Sequence, residues 1–130
     1  MKNGLLGTLA ASAALALTAG LASSSYAESN PPGCPKGYFC MYSGENQNGT
    51  LLKKASGDWG PGDSSGFVKG VRSIFNNGND CSGCDHVDFT FYDGLSNHIR
   101  CYHYNPGPGT YKYNFSIGVT AKGVRWRGEC

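Results

Sequence analysis

From residue 86 to 92 the chain alternates without a break. Val87, Phe89 and Phe91 fall on one side of an extended backbone, and Asp88, Thr90 and Tyr92 on the other. A period of two is the signature of a strand with one buried face. The same alternation runs through residues 99–104 and stops at Asn105-Pro106-Gly107-Pro108-Gly109, where two prolines have no amide hydrogen to give a ladder. Short runs rich in aromatic and β-branched side chains predict further strands at 38–42, 50–54, 68–75, 111–115 and 123–127. Turn-forming residues separate them, with loops at 57–63 (Gly-Asp-Trp-Gly-Pro-Gly-Asp) and 76–80 (Asn-Asn-Gly-Asn-Asp). No segment after Ala27 sustains a helical period. Seven short strands in about 100 residues predict an all-β domain whose two sheets bury each other's apolar faces. The stretch around Gly78-Asn79-Asp80 reads as the joint between two halves.

The N-terminus has a different texture. Lys2 precedes an almost uninterrupted apolar and small-residue run from Gly4 to Ala22, and Ser25-Tyr26-Ala27 forms a small-x-small cleavage site. A membrane anchor is the competing reading. The run is built from Ala, Gly, Ser and Thr rather than large aliphatics, however, and the cleavage site follows it directly. The expectation is therefore a secretory signal over 1–27 and one mature domain over 28–130, secreted to the extracellular space and free of the membrane after cleavage. Charge adds little. With 11 Lys and Arg against 9 Asp and Glu, the formal net charge is +2 and the charges are scattered. Neither a basic stripe for nucleic acid nor an acidic tail is present.

All 6 cysteines follow the cleavage site. An even number in a small exported domain reads as a disulfide framework, with fifteen connectivities formally open. Cys34 and Cys40 enclose five residues, including Pro35 and Gly37, and a bridge there would pin the N-terminus against the first strand. The remaining four lie among the three histidines, in Cys81-Ser82-Gly83-Cys84-Asp85-His86 and His98-Ile99-Arg100-Cys101-Tyr102-His103. Cys-x2-Cys followed by His is a plausible start for a tetrahedral zinc site. Export favours oxidised sulfur instead, and zinc would leave Cys130 without an obvious partner. The simpler pairing is Cys81–Cys84 as a tight local loop and Cys101–Cys130 tying the last strand back, so that no metal is expected. The histidines then become exposed strand positions, His86 and His103 beside aromatic neighbours. A redox-active Cys-x2-Cys would need a βαβ setting that is missing.

Tyr42 stands seven residues before Gly49. In a folded-over hairpin such a glycine takes positive φ freely, and the aromatic ring covers the turn. Ser73, in Val71-Arg72-Ser73-Ile74-Phe75-Asn76, can supply a hydroxyl to the exposed backbone of that hairpin. Together with Cys34-Pro35-Lys36-Gly37-Tyr38-Phe39-Cys40, Asn46-x-x-Gly49, Ser73-Ile74-x-Asn76-Asn77 and Val124-Arg125-Trp126-Arg127 before a terminal cysteine, the pattern resembles the streptomycete metalloproteinase inhibitor family. These are secreted βγ-crystallin-like proteins of actinobacteria. The resemblance spans the mature chain and is strongest in its first half. It implies a disulfide-stapled, two-Greek-key βγ-crystallin-like sandwich with a Cys34–Cys40 bridge, and a protein partner that is a zinc metalloproteinase of the thermolysin type. The second half departs from the pattern: seven residues after Phe91 and Tyr92 come His98 and Ile99, and the position matching Ser73 falls near Gly123.

Many βγ-crystallin domains bind calcium through paired Asn or Asp before the serine. Here Val68 and Lys69 precede Ser73, and residues 118–123 are Gly-Val-Thr-Ala-Lys-Gly, so neither run supplies the clustered oxygens a hard cation needs. No cofactor is expected. Nor is catalysis, since an oxidised framework leaves no free thiol and neither a Gly-x-Ser-x-Gly elbow nor a paired-carboxylate cleft can be read. An inhibitor of this size presents a rigid loop that the enzyme binds like substrate. Against a thermolysin-like enzyme, one loop carbonyl approaches the zinc and an apolar side chain fills the pocket beyond the scissile bond. The preferred candidate is the stapled stretch Cys81, Ser82, Gly83, Cys84, Asp85, His86 and Val87, with Val87 as the apolar residue; the longer loop over 57–67 offers Trp59 and Phe67. Such a protein acts as a monomer. The other class left open is a secreted structural, binding or killer-toxin-like protein on the same scaffold.

Overall fold

The structure, a computed structural model, describes residues 26–60, 62 and 66–130. The stretch 1–27 expected to be an export signal lies outside the described residues as far as position 25, as does part of the 57–67 loop. Six antiparallel strands form: β1 (Tyr38–Tyr42), β2 (Leu51–Ala55), β3 (Val68–Asn77), β4 (His86–Tyr92), β5 (Asn97–Tyr102) and β6 (Lys112–Arg127). They are hydrogen-bonded in the order β2-β1-β3-β6-β4-β5. Among the described residues, the one helical element is a 3-10 turn, Glu45–Gln47, and no helix is long and apolar enough to cross a membrane.

The two halves are joined by strands that each serve both. The C-terminal part of β3, from Ser73 to Asn77, pairs with β1, while Val68 and Val71 pair with Ala121 and Val119 of β6. Conversely, the start of β6 pairs Lys112, Tyr113 and Asn114 with Phe75, Ile74 and Ser73, and its far end, from Thr120 to Arg127, pairs with β4. Register shifts in β3 between Val68 and Val71, and again before Ser73, mark where the pairing changes. In the strand order β1 and β4 are three places apart, which in a flat sheet is about 14 Å. Yet the rings of Phe39 in β1 and Phe89 in β4 have centroids only 5.3 Å apart. The sheet therefore folds over on itself and packs one half against the other.

Alternation explains what lies between the halves. Phe39 and Met41 meet Val71, Ile74, Val87, Phe89, Phe91, Tyr102, Phe115, Val119, Ala121 and Val124 in the main core, while Cys40 and Tyr42, on the opposite face of β1, join Cys34 and Phe75 in a second cluster. With both faces buried, β1 reads as a continuous apolar run. The strand expected at 86–92 is β4 residue for residue.

Two expectations need correction. The separate strands expected at 111–115 and 123–127 are one strand, β6, because the intervening residues keep pairing while they transfer from β3 to β4. Asn76 and Asn77, assigned to a loop by composition, end β3 with both side chains fully buried. Their amides act as backbone substitutes where the sheet runs out. The Asn76 side chain donates to the carbonyls of Asp85 (3.0 Å) and Tyr102 (3.2 Å), and that of Asn77 donates to the carbonyl of Cys34 (2.8 Å). A buried backbone group needs such a partner.

Candidate functional site

The structure pairs Cys34 with Cys40, Cys81 with Cys84 and Cys101 with Cys130, and among the described residues no cysteine is free. Tyr42, Gly49 and Ser73 meet at the β1–β2 connection. The Ser73 hydroxyl donates to the Gly44 carbonyl at 2.6 Å and accepts from the Gln47 amide at 2.9 Å. Gly49 has φ +77°, and a Cβ there would fall 2.5 Å from the Ser43 hydroxyl oxygen, so the turn closes only over a glycine. Tyr42 is buried and donates to the Pro32 carbonyl at 2.8 Å; burial pushes its hydroxyl pKa up to about 12. Tyr42 and Ser73 are buried and build scaffold, while Gly49 lies exposed and shapes the turn.

The stapled segment preceding β4 is divided sharply by burial. Ser82, Gly83 and Cys84 are exposed, whereas Asp85, His86 and Val87 are not. Val87 has 0% exposure and belongs to the main core, so the apolar residue expected to enter a peptidase pocket cannot do so in the folded protein. The reason lies in register. Val87 pairs with Trp126 and Tyr102 inside the sheet, on the same inward face as Phe89.

His86 also departs from the exposed position expected of it, with 2% exposure. Its Nδ1 meets an Asp85 carboxylate oxygen at 2.5 Å, and its Nε2 meets Nδ1 of His103 at 2.8 Å. Since the carboxylate accepts, Nδ1–H of His86 donates to it. Nε2 of the same ring is then engaged with His103. The other Asp85 oxygen accepts from the Cys81 amide at 3.1 Å. Burial works to raise the Asp85 pKa, but the Cys81 amide and the His86 imidazole outweigh it and hold the carboxyl below its ordinary value. The Asp85–His86–His103 chain thus fixes the base of the stapled turn.

The zinc reading of Cys81, Cys84 and His86 does not fit these contacts, because both sulfurs are joined to each other. His86, His103 and Cys130 bring ligand atoms within 4.8 Å of one another, but the Cys130 sulfur is bonded to Cys101 and the two imidazoles engage each other. Zinc requires thiolate and unprotonated ring nitrogens, and that set supplies no open tetrahedron.

In the second candidate loop, Trp59 is 6% exposed and pairs through its backbone with Val124 (2.8 and 2.7 Å), which places it in the core. Phe67 is half-exposed beneath the Lys122 ammonium.

Sequence reading passed over a third loop, the turn from β4 to β5 at residues 93–96. The available signal was Asp93-Gly94 between two alternating runs, a strong hairpin cue. Asp93 Oδ1 accepts from the amides of Leu95 and Ser96, both at 2.8 Å, and His98 reaches Asp93 Oδ2 at 2.7 Å. Those two amides, the Ser96 one foremost, and His98 hold the Asp93 carboxyl at a pKa of about 2. Leu95, at the tip, is 92% exposed.

The model of peptidase inhibitor family I36 matches residues 27–94, a stretch running through β4 and into that turn. No curated protein and no solved structure matches the chain.

Proposed function

The chain belongs to peptidase inhibitor family I36, and from that membership we propose that it blocks a secreted zinc metalloproteinase of the thermolysin type with a rigid, pre-formed loop. It works by binding and is not an enzyme; its partner is a peptidase. The family match carries this reading. Rigidity adds to it, because a loop ordered before binding loses little entropy on docking, and a standard-sized interface can then be tight. The stapled turn at 81–84 supplies rigid backbone. With Val87 buried, the apolar side chain for the pocket beyond the scissile bond has to come from elsewhere.

The scaffold that presents the loop is, in this reading, a two-Greek-key βγ-crystallin-like sandwich. The hairpins β1–β2 and β4–β5 occupy corresponding places, and β3 and β6 each cross from one half to the other. The reading also includes export, cleavage after Ala27 and action as a monomeric domain over 28–130. Glu28 is in keeping with that start. Its amide donates to Asn105 Oδ1 at 2.8 Å, and its carboxylate meets Lys112 at 2.8 Å and the Tyr111 hydroxyl at 2.8 Å. The Lys112 ammonium lowers the Glu28 pKa, against partial burial and with help from Tyr111.

The test is to titrate the oxidised domain, residues 28–130, into assays of a thermolysin-type enzyme and of serine peptidases. Stoichiometric loss of the metalloproteinase activity alone is expected. Full metalloproteinase activity at micromolar protein would sink the proposal.

A further inference from the structure

Building on the inhibitor reading above, we propose that the β4–β5 turn is the element that enters the metalloproteinase, with Leu95 as its anchor in the apolar pocket beyond the scissile bond. A lone exposed leucine is ordinary on any protein surface. The setting of this one is not. The connection has two central residues, Gly94 and Leu95, with Gly94 at φ +98°, the glycine-first arrangement of a tight hairpin turn. Six hydrogen bonds fix it. Asp93 Oδ1 takes the Leu95 and Ser96 amides, the Asp93 amide donates to the Ser96 carbonyl (3.1 Å), and the Tyr92 hydroxyl donates to the Gly94 carbonyl (2.9 Å). His98 Nε2 contacts both Asp93 Oδ2 (2.7 Å) and the Ser96 hydroxyl (3.1 Å). The turn is therefore ordered around a side chain that is 92% exposed. Docking such a leucine gains the full burial of its apolar area at small conformational cost.

The surface beside the turn extends the same chemistry. A cavity of about 200 Å³ opens there, lined among others by Phe91, Arg100, Tyr113 and Ile117 as well as by Asp93 and His98, the residues that hold the turn. Ile117 is 54% exposed and Tyr113 38%. Leu95 accordingly stands beside a shallow cavity where apolar rings and Ile117 alternate with Asp93, His98 and Arg100. The stapled turn has no equivalent, its exposed residues being Ser82, Gly83 and Cys84. The two turns lie at opposite ends of β4, about 20 Å apart at the usual rise per residue, so one zinc centre faces one turn or the other. The occupant that fits is a zinc endopeptidase whose pocket accepts a large aliphatic side chain.

The experiment compares Leu95→Ala, Leu95→Asp, Leu95→Phe and Ile99→Asp with the unaltered oxidised domain against a thermolysin-type enzyme, thermal midpoints being recorded in parallel. Leu95→Ala should weaken inhibition about 10- to 100-fold, the worth of a buried leucine side chain. Leu95→Asp should abolish it, while Leu95→Phe, still large and apolar, should stay within about tenfold. Ile99 is 68% exposed but no part of the turn, and its substitution should leave inhibition intact. Midpoints should not move, because Leu95 contacts no core residue. Inhibition by the unaltered domain that survives Leu95→Asp, or that falls equally with Ile99→Asp, overturns Leu95 as the anchor and leaves the inhibitor reading standing. If the unaltered domain inhibits no zinc endopeptidase, that reading falls and the anchor falls with it.

Discussion

Ser73, itself fully buried, holds the β1–β2 turn with a single hydroxyl that both donates and accepts. Replacing it with alanine leaves the Gln47 amide and the Gly44 carbonyl without that partner, and an unpaired buried group costs about 1–3 kcal/mol. Ser73→Ala should therefore lower unfolding stability by about 2 kcal/mol, measured by denaturant titration; an unchanged midpoint would show that the turn closes without it. Tyr102 presents the opposite case. It is 2% exposed, burial pushes its pKa up to about 12, and among the described residues its hydroxyl finds no hydrogen-bond partner. Tyr102→Phe keeps the ring contacts and removes the orphaned oxygen, so stability should rise by about 1 kcal/mol. A loss of stability in the same titration would mean that the hydroxyl is bonded after all. Ser73 was legible in the sequence because it stands at a fixed place behind Tyr42 and Gly49. Asn76, Asn77 and Asn105 were not, since an asparagine that completes a buried backbone has the same composition signal as one in a loop.

At the scale of elements, legibility followed one-sidedness. β4 was read to the residue because its outward positions are polar and its inward ones large and apolar. β6 was read as two strands because residues 116–122 carry a glycine and small side chains where the strand changes partner, and alternation lapses there. Cysteine spacing singles out the stapled segment over the β4–β5 turn, but it carries no information about the register that buries Val87. The turn makes a prediction of its own. Asp93 has a folded pKa of about 2 against an ordinary 3.8, chiefly because the Ser96 and Leu95 amides and then His98 bond to its charged form. A folded value below the unfolded one stabilises the protein at pH above the ordinary value, and the contribution fades as pH falls through about 2. The Asp93 carboxyl signal, followed by NMR, should titrate near pH 2, and the Leu95 and Ser96 amide shifts should move with it. Titration near the ordinary value would show that the turn is loose, and would weaken the case for a pre-ordered Leu95.

For the molecule as a whole, folding depends on closing a small core with help from three bridges that differ in reach. Their sequence separations are 6 for Cys34–Cys40, 3 for Cys81–Cys84 and 29 for Cys101–Cys130. In the chain-entropy account, the shortest loop restricts the unfolded chain by about 2 kcal/mol and the longest by about 3.5 kcal/mol. Topology points the same way. Cys101 lies on the edge strand β5 and Cys130 beyond the end of β6, with β4 between those strands, so this bridge spans three strands while the other two close single turns. The doubly substituted Cys101→Ala/Cys130→Ala protein should thus lose about 3.5 kcal/mol, against about 2 kcal/mol for Cys81→Ala/Cys84→Ala, both read from denaturant unfolding under oxidising conditions. The Cys81–Cys84 variant should also keep its inhibition if Leu95 is the anchor, because the stapled turn then lies at the far end of β4 from the peptidase. A larger stability loss from the short bridge than from the long one would mean that the Asp85–His86–His103 chain depends on the staple for its geometry. The entropy of the unfolded chain would then be the lesser term.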